Sequence, residues 1–339
     1  MDLYLIIVII MLALAVSGLV VGVANDAVNF LNSALGSKAA PRYVIMTVAS
    51  VGIIVGAITS NGMMEVARSG VFHPEMFTFA EVMLLFLAVM FTNVILLDIF
   101  NTLGMPTSTT VSLVFGLLGA AVGISIFKIA NDALVTLPDG SLATMADMIN
   151  TGNAMAIIGG ILISVVIAFV CGTVVMYITR LIFSFRYQSK LKSYGAVWCG
   201  IALTAISYFA VFKGLKGTQV IPADWMSWME GHIPMMLGGL LVGWSLIMSI
   251  LSMLKVNILR ITVLAGTFSL ALAFAGNDLV NFIGVFVAGV DAYDIVRTTG
   301  DTNMLMGGLN DPVVANLLIL FLSGAVMVVT LWFSKKAQS

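Results

Sequence analysis

The sequence predicts an all-α polytopic membrane protein built on an inverted repeat, and three observations predict it. Of its 339 residues, 60% are hydrophobic and only 9% are charged, against about 25% charged in an ordinary soluble domain. Apolar runs of about 20 residues, enough to cross a bilayer as helix, recur along the chain. The stretch Asn25-Asp26-Ala27-Val28-Asn29-Phe30 returns as Asn277-Asp278-Leu279-Val280-Asn281-Phe282, each time inside a long apolar segment. An acidic residue flanked by amides at membrane depth is costly, so it reads as a functional site. A costly feature that occurs twice points to a duplication with one site built from both copies.

Nine apolar spans are expected, near residues 3–24, 43–60, 79–101, 107–127, 153–183, 194–213, 232–253, 258–276 and 313–333. The N-terminus opens on Asp2 with no basic stretch before the apolar run, so the first segment reads as a true span rather than a cleaved signal. The first and eighth spans run on through their motifs, to about residues 35 and 289. That is too long for one straight crossing, and a break at each motif would explain it. Gly22 and Ala24 before the first copy, and Ala275, Gly276 and Gly284 around the second, suit such a break. Unwound backbone at that depth must line a cavity or be buried in protein. Cys171 and Cys199 fall in apolar spans and read as small buried hydrophobes.

Lys and Arg set the expected orientation. One set of alternate loops holds Lys38, Arg42, Arg180, Arg186, Lys190, Lys192, Lys255, Arg260, Lys335 and Lys336; the other holds Arg68, Lys128, Lys213, Lys216 and Arg297. Ten against five places the first set in the cytoplasm, with the N-terminus outside and the C-terminus inside, in a multi-pass cell (plasma or inner) membrane protein. Spans 1 and 8 then enter from opposite sides, as an inverted repeat requires. The reading divides the chain into 1–127, the first repeat; 128–255, an external loop, connecting spans and a basic cytoplasmic loop; and 256–339, the start of a second repeat. The first repeat contains Gly104-Met105-Pro106-Thr107-Ser108-Thr109-Thr110, and no second such stretch occurs in the sequence. The second repeat therefore reads as truncated.

The polar groups expected at mid-membrane are Asn25, Asp26, Asn29, Asn277, Asp278 and Asn281, joined by the hydroxyls of Ser108, Thr109 and Thr110. Positions four apart share a helical face, which pairs Asn25 with Asn29 and Asn277 with Asn281. Pro106 suits a first helical turn, and the free N–H groups beyond it, at the positive end of the helix dipole, make an anion site. No Lys or Arg lies in these stretches. An oxyanion cannot enter a site holding two carboxylates and no fixed cation unless positive charge comes with it. Asp26 and Asp278, with Asn25 and Asn277, offer hard oxygen ligands for Na⁺; protonation of the carboxylates is the other route. Cation-coupled uptake of an oxyanion is the mechanism this chemistry suggests. The bland alternatives are interhelical hydrogen bonding for the Asn-Asp pairs and hydroxyls bonded back to their own helix. Asp98, with Asn93 and Asn101 in the same span, reads as structural or as lying near the inner surface, with support of the hydroxyl stretch as the other reading for Asp98. His73 and His232 stand alone, without the partner ligands a metal site needs. No phosphate-binding glycine loop follows a strand pattern, and no nucleophile–base pair is visible, so neither ATP coupling, nucleic-acid binding nor enzymatic activity is expected.

At these residues the chain resembles the inorganic phosphate transporter (PiT) family, which carries a duplicated Gly-Ala-Asn-Asp-Val-Ala-Asn-type motif and a Gly-Leu-Pro-Val-Ser-Thr-Thr-His-type motif in each half. Ala24-Asn25-Asp26 with Asn29, and Gly276-Asn277-Asp278 with Asn281, match the first. Gly104, Pro106, Ser108, Thr109 and Thr110 match the second, with Thr107 in place of Val and Val111 in place of His. The resemblance implies an inverted-repeat secondary transporter with broken helices. It would import inorganic phosphate with Na⁺ (or H⁺) and have no cofactor. Asn25, Asn29, Ser108, Thr109, Thr110, Asn277 and Asn281 would contact phosphate, and Asp26 and Asp278 would bind Na⁺. Membrane lipid surrounds such a protein, and homodimers occur in the family. The rival readings are a sulfate or other oxyanion symporter and a non-transporting phosphate sensor.

Overall fold

The computed structural model describes residues 2–60, 67–105, 107–138, 140–184, 187–215, 222–311 and 316–334. The described residues are almost wholly helical, and the nine expected spans are all helices. These are α1 (Asp2–Gly36), α2 (Arg42–Ile58), α3 (Phe79–Leu103), α4 (Thr109–Ala130), α5 (Thr151–Ile182), α6 (Tyr187–Phe209), α7 (Ile233–Met253), α8 (Ile258–Thr299) and α9 (Leu317–Phe333). Among them seven helices are long and apolar enough to cross a membrane; α2 and α9 are shorter apolar helices. Among the described residues there is no strand, only isolated bridges such as Phe72 with Ile149.

The break expected at each motif is not there. Helix α1 runs 35 residues and α8 42 residues without interruption, about 50 and 60 Å at 1.5 Å per residue. Neither contains proline. The motif side chains find lateral partners, described below, so the backbone keeps its own hydrogen-bond ladder while the polar groups are satisfied.

Two compact units form, interleaved along the chain. The first comprises Met1–Asp26, Ser60–Ile161 and Asn277–Ser339. Within it α3 starts with a capping box, in which Glu81 N–H donates to Thr78 Oγ1 and Thr78 N–H to Glu81 Oε2. The same Glu81 oxygen takes a 2.8 Å bond from Lys128 near the end of α4, which is buried. The antiparallel pair α3–α4 is thus stapled at one end by a charge-assisted bond. Phe72 meets the rings of Phe77 and Phe86 edge-on in the core beside it.

The second unit comprises Ala27–Thr59 and Leu162–Gly276. Here Gly52 and Gly56 of α2 bring that helix against the backbone of α8: a Cβ on Gly52 would lie 3.0 Å from Ala271 Cβ, and one on Gly56 3.0 Å from Ala275 Cβ. Small residues four apart allow this close approach where no hydrophobic effect drives helices together. Helices α6 and α7 pack around Cys199, Leu203 and Met248, and Trp244 Nε1 donates to Ser207 Oγ at 2.9 Å. Cys199 is buried as expected, but Cys171 is exposed, because α5 is left almost bare along its length.

Candidate functional site

The polar cluster lies in the first unit and draws on three helices. Helix α4 begins at Thr109, with Ser108 as its N-cap accepting from Val111 N–H at 3.3 Å. Pro106 itself lies outside the described residues. The cap points the first turn, carrying Thr109 and Thr110, at Asp278 and Asn281 of α8. Asn281 Nδ2 reaches Thr109 Oγ1 at 3.0 Å, Thr110 Oγ1 at 2.9 Å and Asp278 Oδ1 at 2.9 Å. Thr109 Oγ1 donates to the same Asp278 oxygen at 3.5 Å. An amide nitrogen has two hydrogens, so the Asn281 amide is shared among three converging oxygens, and the Thr109 hydroxyl adds a donor to the Asp278 carboxylate. The positive end of the α4 dipole also faces the Asp278 carboxylate, a favourable arrangement.

Helix α1 supplies the second carboxylate. Asn25 Nδ2 donates to Asp26 Oδ1 at 3.0 Å and to the carbonyl of Thr107 at 3.4 Å. Asp26 is buried, and Asn25 ties it to the residue before the Ser108 cap, on the same end of α4 that Asp278 meets through Thr109. In this unit α1 and α8 run antiparallel. Built as alanine, Gly289 would meet Met11, and Gly22 would run into the ring of Phe282, so positions rise on one helix as they fall on the other. The ion pairs among the described residues are Arg68–Asp291, His73–Glu75 and Lys128–Glu81, and none involves Asp26 or Asp278. Two carboxylates, two hydroxyls and two amides with no fixed cation among the described residues make an oxygen-rich place that favours an incoming cation.

The predicted residues divide in this geometry. Asn25, Asp26, Thr109, Thr110, Asp278 and Asn281 come together. Ser108 is exposed and is used as a cap; Asn277 is exposed; Asn29 is exposed and belongs to the second unit. On α8 the i, i+3 pair Asp278–Asn281 bonds, while of the i, i+4 pair Asn281 is buried and Asn277 exposed. On α3 it is Asn93, rather than Asp98, that supports the cluster. It is buried on α3, donates Nδ2 to the carbonyl of Asn281 at 3.2 Å, and accepts from Ser112 Oγ at 2.6 Å. It therefore ties α3, α4 and α8 together beside the cluster. The sequence did not reveal Ser112 or the Thr107 carbonyl; the one available signal is that Ser112 lies three residues after Thr109, on the same helical face.

Comparison with known proteins gives the family and the fold. The family model described as the phosphate transporter family matches residues 22–336. A protein of Thermococcus kodakarensis named "Putative phosphate permease" is 25% identical over 200 residues, 58% of this chain and 45% of the relative, so the chain spans less than half of that relative's length. Among solved structures, one called the sodium-dependent phosphate transporter superposes with a TM-score of 0.66 at 18% identity, covering 97% of this chain and 76% of that one. At that identity the likeness shows the fold.

Proposed function

Since the chain belongs to the phosphate transporter family, we propose that this multi-pass membrane protein imports inorganic phosphate as a secondary transporter, by symport with Na⁺ (or H⁺), and performs no enzymatic chemistry. One observation carries the reading: Asp26, through Asn25 and the Thr107 carbonyl, and Asp278, through Thr109 and Asn281, are both held at the capped start of α4 that presents Thr109 and Thr110, with no cation paired to either carboxylate among the described residues. A phosphate ion alone would add negative charge to a low-dielectric site that already holds two carboxylates. Cations entering first convert that repulsion into attraction, which couples the two fluxes. In this account Asp26 and Asp278, with Asn25 and Asn277, hold Na⁺. Thr109, Thr110 and Asn281, with Ser108, contact phosphate. Asn281 releases some of its internal bonds as the guests arrive. The antiparallel course of α1 and α8 in the first unit supports an inverted repeat, and the Lys and Arg distribution supports an N-terminus outside the cell membrane and a C-terminus in the cytoplasm.

The test is uptake of labelled phosphate into proteoliposomes with Na⁺ and H⁺ gradients imposed separately. Uptake should follow one cation gradient, be competed by arsenate more than by sulfate, and vanish in Asp26→Asn and Asp278→Asn variants that still fold. Wild-type uptake by both variants would refute the cation assignment, and stronger competition by sulfate would refute the substrate.

A further inference from the structure

We propose that a basic cleft in the second unit, between the start of α6, the end of α7 and the start of α8, holds the headgroup of an anionic phospholipid. The cleft encloses about 250 Å³ and is lined by Tyr187, Gln188, Lys192, Ser252 and Asn257, with an apolar wall that includes Leu191. Its level in the membrane follows from the spans themselves. Helix α6 opens one candidate span at Tyr187 and α7 closes another at Met253, so the cleft lies where helices leave the hydrocarbon for the headgroup layer. The exposed rings of Tyr187 and Tyr194 belong at that level too.

Charge makes the cleft selective. Lys190, Lys192, Lys255 and Arg260 gather at this end. The only carboxylates in the sequence of the second unit are Asp224 and Glu230. Both lie in the short helix Ala223–Gly231 that precedes α7, at the far end of a helix about 30 Å long. The basic end thus has no acidic counterweight in its own unit. A lipid phosphodiester would take the Lys192 ammonium, and glycerol and ester oxygens would take the amides of Gln188 and Asn257 and the Ser252 hydroxyl. The acyl chains would lie on the exposed apolar flank of α7, at Ile250 and Met253. Free phosphate shares the anionic chemistry but has no use for the apolar wall. The site is independent of the polar cluster of the first unit and of the transport reading.

The experiment is native mass spectrometry of the full chain, delipidated in a neutral detergent. Phosphatidylglycerol or phosphatidylcholine with the same acyl chains is then added. The wild type should retain phosphatidylglycerol over phosphatidylcholine, and millimolar inorganic phosphate should not displace it. Removing juxtamembrane charges costs about fivefold in affinity each, so Lys192→Gln with Arg260→Gln should lose about 25-fold. Arg297→Gln, in the first unit, should change nothing. Equal retention of the two lipids, full retention by the double variant, or displacement by inorganic phosphate would each overturn the proposal.

Discussion

Gly22→Ala tests how closely α1 must approach α8 beside the polar cluster. A Cβ on Gly22 would fall inside the contact radius of Phe282 Cζ and Cε1 and lie 3.1 Å from Cε2, while a Cβ on Gly18, one turn earlier, would lie 3.7 Å from the same ring, in ordinary contact. Phe282 is only 3% exposed, and the adjoining cavity, which it lines with Gly18, Val94 and Val285, has about 10 Å³ of room. The ring therefore has nowhere to go. Overpacking of this kind costs about 1–3 kcal/mol, and the upper end applies because two ring atoms are overrun. Alanine recovers about 1 kcal/mol over glycine in helix propensity, leaving a net loss of about 2 kcal/mol. Chemical denaturation of the purified chain, followed by tryptophan fluorescence, should show that loss. Phe282→Leu in the same chain should relieve the clash, so the double variant should be more stable than the sum of the singles by about 1 kcal/mol or more. Since Phe282 follows Asn281 directly, Gly22→Ala should also weaken phosphate binding. A variant that is more stable than wild type, or a cycle with no coupling, would refute the close-approach argument.

Other outcomes follow from the same geometry. Glu81→Ala leaves Lys128 buried without its carboxylate and should cost about 3–5 kcal/mol, while Glu81→Leu combined with Lys128→Met should restore most of it; denaturation midpoints decide. Asn93→Leu removes the bond to the Asn281 carbonyl and the acceptor for Ser112. It should cost about 1–2 kcal/mol in stability and raise the phosphate concentration needed for half-maximal uptake, with Ser112→Ala doing less of both. An unchanged half-saturation in Asn93→Leu would confine that residue to a structural role.

The spans were legible because nothing but a membrane helix accommodates runs this apolar, and their ends were lost where polarity sets in. Helix α6 starts at Tyr187 rather than near 194, since Gln188, Lys190 and Lys192 dilute the hydropathy of turns that are still helical. Helix α4 starts at Thr109 rather than 107, because a serine hydroxyl supplies the cap. The motif residues were legible because carboxylates and amides in apolar spans are expensive. Their partners were less so: the Thr107 contact is a carbonyl, which every residue has, and Ser112 reads like any helical serine. The expected breaks in α1 and α8 failed for the same reason. Sequence shows that a segment is too long and too polar, but not that neighbouring helices supply hydrogen bonds that let it stay wound.

The most direct measurement is equilibrium binding of labelled phosphate to the purified chain in Na⁺ and in an equal concentration of choline. Saturable binding in Na⁺ alone, lost in Asp278→Asn, is the predicted result. Binding of equal strength without any small cation, or undiminished in that variant, would contradict the claim that phosphate enters only with its counter-charge.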